Sequence, residues 1–116
     1  MKYVLLVSAI AEIGTGLALM VFPSLVGWLL LGDTLTGFAI PVARVAGIAL
    51  VSLGVACSPG PPLVGMLTYS ALVTLYLAYL GLADGSAGIL LWPAVALHAI
   101  LTALLAYDLK RMRDMR

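Results

Sequence analysis

Residues 3–22 read YVLLVSAIAEIGTGLALMVF, an apolar run interrupted by one charge, Glu12. At 1.5 Å per residue a helix of about 20 residues spans the ~30 Å hydrocarbon core of a bilayer. The run has the length and character of a membrane crossing. Lys2 ahead of it also suits a signal peptide, but Glu12 breaks the run and no small-residue cleavage site follows, so a retained helix is expected. Three further stretches, residues 38–57, 63–82 and 89–107, are similarly long and apolar. FPS at 22–24, SPGPP at 58–62 and ADGSAG at 83–88 separate the four with residues that favour turns. The expected fold is all-α: a single transmembrane domain over residues 1–116, built as an antiparallel four-helix bundle.

Composition agrees. Hydrophobic residues make up 64% of the chain and charged residues 9%, with a mean hydropathy of +1.19. Soluble domains carry about 25% charged residues. The net charge of +1 leaves no electrostatic footprint for nucleic acid. A single cysteine, Cys57, rules out an intrachain disulfide and a multi-cysteine metal site, and reads as a small apolar residue near a helix end.

The first connection, SLVGWLLLGDTLTG at 24–37, is too apolar for a plain loop and too short for a crossing. A helix of about two turns over residues 24–32 is expected, starting after Pro23 with Ser24 near its cap and lying in the membrane interface over one mouth of the bundle. Positive residues give the orientation. Outside the spans they are Lys2 and the tail residues Lys110, Arg111, Arg113 and Arg116, whereas the connections holding Asp33 and Asp84 have none. Both termini should therefore face the cytoplasm, with 108–116 as a basic tail beside the anionic leaflet. Trp28 and Trp92 then fall at the outer interface, Tyr3 and Tyr107 at the inner one.

Small residues recur at four-residue spacing: Ala39, Ala43 and Gly47; Gly14 and Ala18; Ser70, Thr74 and Ala78. Such faces let helix backbones approach closely. Polar residues line comparable stripes, Ser8, Glu12 and Thr15 in the first span, Arg44 and Ser52 in the second, His98 and Thr102 in the fourth, and one interior polar column would hold them all. Counted along the helices, Glu12 lies ~13 Å from the inner end, and Arg44 and His98 ~9 and ~14 Å from the outer end. An isolated charge at the bilayer centre costs at least ~2.5 kcal/mol, so Arg44 is expected to reach inward and pair with Glu12. Intramembrane ionisable residues are functional-site candidates, which makes Glu12, Arg44 and His98 the proposed ligand or proton site. Tyr76, with Tyr69 seven residues before it, is placed along the same cavity. A lone histidine offers no bis-imidazole haem site.

The run AEIGTGLALMVFPSLVGWLLLG, with ARVAGIALVSLGVAC and GILLWPAVALHAIL, resembles a group of small, largely uncharacterised bacterial four-helix membrane proteins of DoxX-like pattern. The resemblance covers most of the chain and implies a Glu in the first helix, an Arg-x-x-Gly in the second and a His in the fourth, matched by Glu12, Arg44 with Gly47, and His98. It implies no established activity. The shorter AIAEIGTGLALM is similar to the first helix of small multidrug resistance transporters, which implies a proton and substrate site at Glu12. The third helix lacks that family's aromatic and glycine pattern, and Arg44 would oppose a cationic substrate.

Three functions are compatible with these residues. The first is binding of a small or lipid-like ligand, such as a quinone head group, through Glu12, Arg44 and His98. The second is proton-coupled transport of a small solute or cation by a homodimer, and the third is a structural role with a membrane-complex partner. No nucleophile–base arrangement or metal motif argues for an enzyme, and no cofactor is specified.

Overall fold

A computed structural model describes residues 2–83 and 88–115, apart from the Lys2 side chain. Asp84, on which part of the expected orientation rests, and Arg116 lie outside the described residues. Five helices follow in chain order: α1 Lys2–Val21, α2 Pro23–Leu31, α3 Ala39–Cys57, α4 Leu63–Ala83 and α5 Leu91–Asp114. All the regular structure among the described residues is helical. α1, α3, α4 and α5 are each long and apolar enough to cross a membrane.

Local chemistry explains the helix ends. Pro23 opens α2 at a position where a missing N–H costs nothing, and Gly32 closes it at φ 82°, its N–H donating to the Trp28 carbonyl at 3.0 Å. Ser24, expected near the cap, sits inside α2 instead. Its hydroxyl donates to the Leu35 carbonyl at 3.1 Å and ties the following loop back over the helix. Gly27 makes room for that return, since a Cβ there would stand 2.7 Å from Leu35 Cγ. The last helix starts at Leu91 rather than at residue 89, with Pro93 in its first turn. It runs unbroken through most of the basic tail, and Arg111 and Arg113 in its last turn complement the negative end of the helix dipole.

Packing proceeds by neighbours. α1 lies against α3 in opposite directions: a Cβ on Gly16 would meet the Gly47 carbonyl oxygen at 2.5 Å, one on Gly47 the Gly16 carbonyl oxygen at 2.6 Å, and one on Gly54 the Ala9 carbonyl oxygen at 2.8 Å. At that approach only hydrogen fits. α3 continues onto α4 where Gly65 faces Ala56 and the Ser52 carbonyl, and α4 onto α5 where Gly81 faces the Trp92 indole. The order in space is thus α1, α3, α4, α5, a row whose extents are 48 × 37 × 16 Å.

Among the described residues α1 packs on neither α4 nor α5, and α3 does not pack on α5. An enclosed interior column therefore does not form within one chain: Ser8 and Thr15, expected inside, are exposed. Among the described residues the buried apolar side chains are few, Ala9, Pro23, Ile48, Val73 and Leu80, and α5 contributes none. Large apolar residues instead cover the outside, Leu31 at 80% exposure and Phe38 at 83% among them.

Candidate ligand cavity at Arg44

Arg44 stands early in α3, and the antiparallel register brings it level with the last turn of α1. There its Nε–H donates to the Met20 carbonyl at 3.1 Å. The last four carbonyls of a helix have no partner within it, and the C-terminal end of the helix dipole favours a cation. Arg44 therefore caps α1. The other guanidinium nitrogens, Nη1 and Nη2, have no hydrogen-bond partner among the described residues.

Those nitrogens belong to a side chain lining a cavity of about 380 Å³, together with Met20, Ile48, Leu72, Leu75 and Tyr76. Three helices contribute to it: Met20 comes from α1, Arg44 and Ile48 from α3, the rest from α4. Leu75, 68% exposed, forms a rim on the outer face of the row. Tyr76 stacks on Tyr79 with ring centroids 6.3 Å apart, and its buried hydroxyl has no hydrogen-bond partner among the described residues. A buried hydroxyl without a partner is destabilising by about 1–3 kcal/mol. Among the described residues the lining contains one cationic group and no acid.

The hydroxyls elsewhere show the ordinary solution. Ser8, Ser52, Ser58, Thr68, Thr74 and Thr102 each donate to the carbonyl four residues earlier, at 2.6–2.9 Å. Ser70 on α4 joins Tyr76 as the second buried hydroxyl left unpartnered among the described residues.

The residues expected to meet are divided among separate places. Glu12 is half-buried on α1, with no hydrogen bond or ion pair among the described residues. It precedes Met20 by eight residues, so at 1.5 Å per residue its level lies ~12 Å from that of Arg44, and the expected Glu12–Arg44 pair does not form. His98 is on α5, its Nδ1 2.8 Å from the Ala94 carbonyl oxygen, so that Nδ1 carries the donated hydrogen. Its ring meets Tyr69 edge-on, centroids 6.0 Å apart at 67°. Tyr69 lines a second cavity, of about 290 Å³, with Ser52 and Gly65, so the two tyrosines do not share one. Of the four proposed residues, Arg44 and Tyr76 are brought together, and Glu12 and His98 are not. Met20 was not foreseen; its signal is its place in the last turn before Pro23, where a free carbonyl calls for a donor.

Among the described residues no group of three His, Cys, Asp or Glu side chains is placed to hold a metal ion. No protein-family model, curated protein or solved structure matches the chain.

Proposed function

We propose that the chain is a multi-pass protein of the bacterial inner membrane, both termini cytoplasmic, that binds a small lipid-like ligand in the cavity shared by Arg44 and Tyr76. The observation that carries this reading is a guanidinium with unpartnered terminal N–H groups beside Tyr76 on the otherwise apolar wall of a cavity. Ligand pockets combine a predominantly apolar lining with a few polar groups that fix orientation, over volumes of about 300–1,000 Å³. A cavity of about 380 Å³ suits a head group and the first part of a chain, the rest lying along the exposed apolar faces of α1 and α4. Four apolar helices with an exposed apolar exterior support the membrane setting, and the basic tail supports the orientation.

Photoactivatable amphiphiles incorporated with the protein into nanodiscs test the reading. Crosslinks concentrated on Met20, Leu72 and Leu75 are expected. Labelling spread evenly over exposed apolar residues of α5 and α1 would overturn it. Reporters fused to either terminus should be protected from the outside; accessibility of both would reverse the orientation.

A second reading is favoured by Glu12, which has no partner among the described residues, and by α5, which buries no residue. Both features suit assembly with a second copy or with another membrane subunit, as in a dimeric transporter or a complex. Mass determination in nanodiscs separates the two: a monomer retaining its ligand supports the cavity reading, an obligate oligomer the assembly reading.

A further inference from the structure

The geometry points to an oxyanion carried on an apolar chain, a carboxylate or phosphate amphiphile, as the ligand class of the Arg44 cavity. This rests on the reading that the cavity binds an amphiphile, and narrows it from polar head groups in general to anionic ones. Charge is the first argument. Among the described residues the lining contributes one guanidinium and no acid, and the carboxylate expected to neutralise it, Glu12, is ~12 Å away along the helix. A neutral head group, such as a quinone carbonyl, would accept hydrogen bonds there but leave the cation uncompensated in a medium where charge is expensive.

Donor geometry is the second. With Nε–H committed to the Met20 carbonyl, Arg44 keeps the N–H groups of both terminal nitrogens, and the planar fork of a guanidinium matches two oxygens of a carboxylate or phosphate. The Met20 bond also fixes the guanidinium, reducing what is lost when a ligand orders it. Three apolar side chains, Ile48, Leu72 and Leu75, complete a wall with no feature for a second charge, so a single oxyanion with a chain at the Leu75 rim fits where a zwitterion does not.

The test compares dodecyl phosphate, dodecanoate and dodecanol, with inorganic phosphate and acetate as chainless controls, added to the full chain in neutral maltoside micelles and read by native mass spectrometry. Either anionic amphiphile, or both, should bind about ten-fold or more tightly than dodecanol, and the chainless ions should not bind. The phosphate and carboxylate arms identify which head group is preferred. Arg44→Gln should abolish the preference, and Arg44→Lys should restore part of it through charge without the fork. Should Arg44→Gln not fold, the head-group series on the native chain and Arg44→Lys still decide. Equal binding of dodecanol and both anions overturns the anionic class while leaving the cavity reading intact. Binding of none of the three amphiphiles overturns both, and tight binding of inorganic phosphate alone overturns the requirement for a chain.

Discussion

The seam between α1 and α3 and the outer helix α5 are built from the same apolar alphabet, yet one is locked and the other is not. Along the seam Gly16, Gly47 and Gly54 set backbone against backbone, and a carbonyl oxygen occupies the space each Cβ would take. α5 meets α4 through a Trp92–Gly81 contact at one end and the Tyr69–His98 edge contact further along, and buries no residue. Hydropathy alone does not distinguish such helices; the placement of glycine against carbonyl does. The difference also shapes the cavity, because a rigid seam holds Arg44 against the end of α1 while α4 leaves the gap that Tyr76 lines.

The sharpest way to break this comparison is to widen the seam. Gly47→Ile should destabilise the fold by about 3 kcal/mol, at the upper end of overpacking because the clash is with backbone. Steric trapping in bicelles measures it. Gly14→Ala, whose Cβ would meet nothing within 4 Å, serves as the control and should be neutral or stabilising by up to about 1 kcal/mol. A comparable loss at both glycines would deny that close approach, rather than glycine itself, makes the seam.

Next in size is the cap. Arg44→Met removes the bond to the Met20 carbonyl and the cation at the C-terminal end of α1, and should cost about 1.5–2 kcal/mol in the same assay. An effect below the assay error would leave Arg44 with no role in joining α1 to α3. Smaller again is the response of α5: Ile100→Ala and Leu104→Ala, both on its exposed surface, should each change the stability of the isolated chain by less than about 0.5 kcal/mol. A loss of 2 kcal/mol or more, the range for a packed large-to-small change, would mean that a partner covers this face. The smallest expected value is the Glu12–Arg44 coupling in a double-mutant cycle with Glu12→Gln, below about 0.5 kcal/mol for side chains that do not meet.

Much of the architecture is legible in the sequence because helix length and bilayer thickness are tied by a fixed rise. The four long helices and the short α2 between Pro23 and Gly32 follow from that and from turn chemistry. Gly47 is legible as an approach point, but on α1 the close approach is made at Gly16 and not at Gly14 of the expected small-residue face: choosing between them requires the rotation of α1 about its own axis, which small-residue spacing does not encode. Depth counting placed Glu12 and Arg44 within reach because it measured each from a different membrane face. The register is set instead by glycine contacts and by the return of Leu35 over Gly27, and it aligns Arg44 with Met20. The sequence marked Arg44 and Tyr76 as site candidates, whereas the division of Glu12 and His98 from them depends on an open row that polar stripes alone do not reveal.

Glu12 is the sole glutamate of the chain, and Arg44 the sole arginine before residue 111. Solid-state NMR on protein in lipid, with carboxyl-¹³C glutamate and guanidino-¹⁵N arginine, therefore reads their separation by rotational-echo dephasing without mutation. The account has the Arg44 cation capping α1 and open to an external anion, unpaired with Glu12, and it predicts no dephasing of the Glu12 carboxyl carbon at ion-pair range. Dephasing that places a guanidinium nitrogen within about 4 Å of that carboxyl would show an internal ion pair and contradict the account.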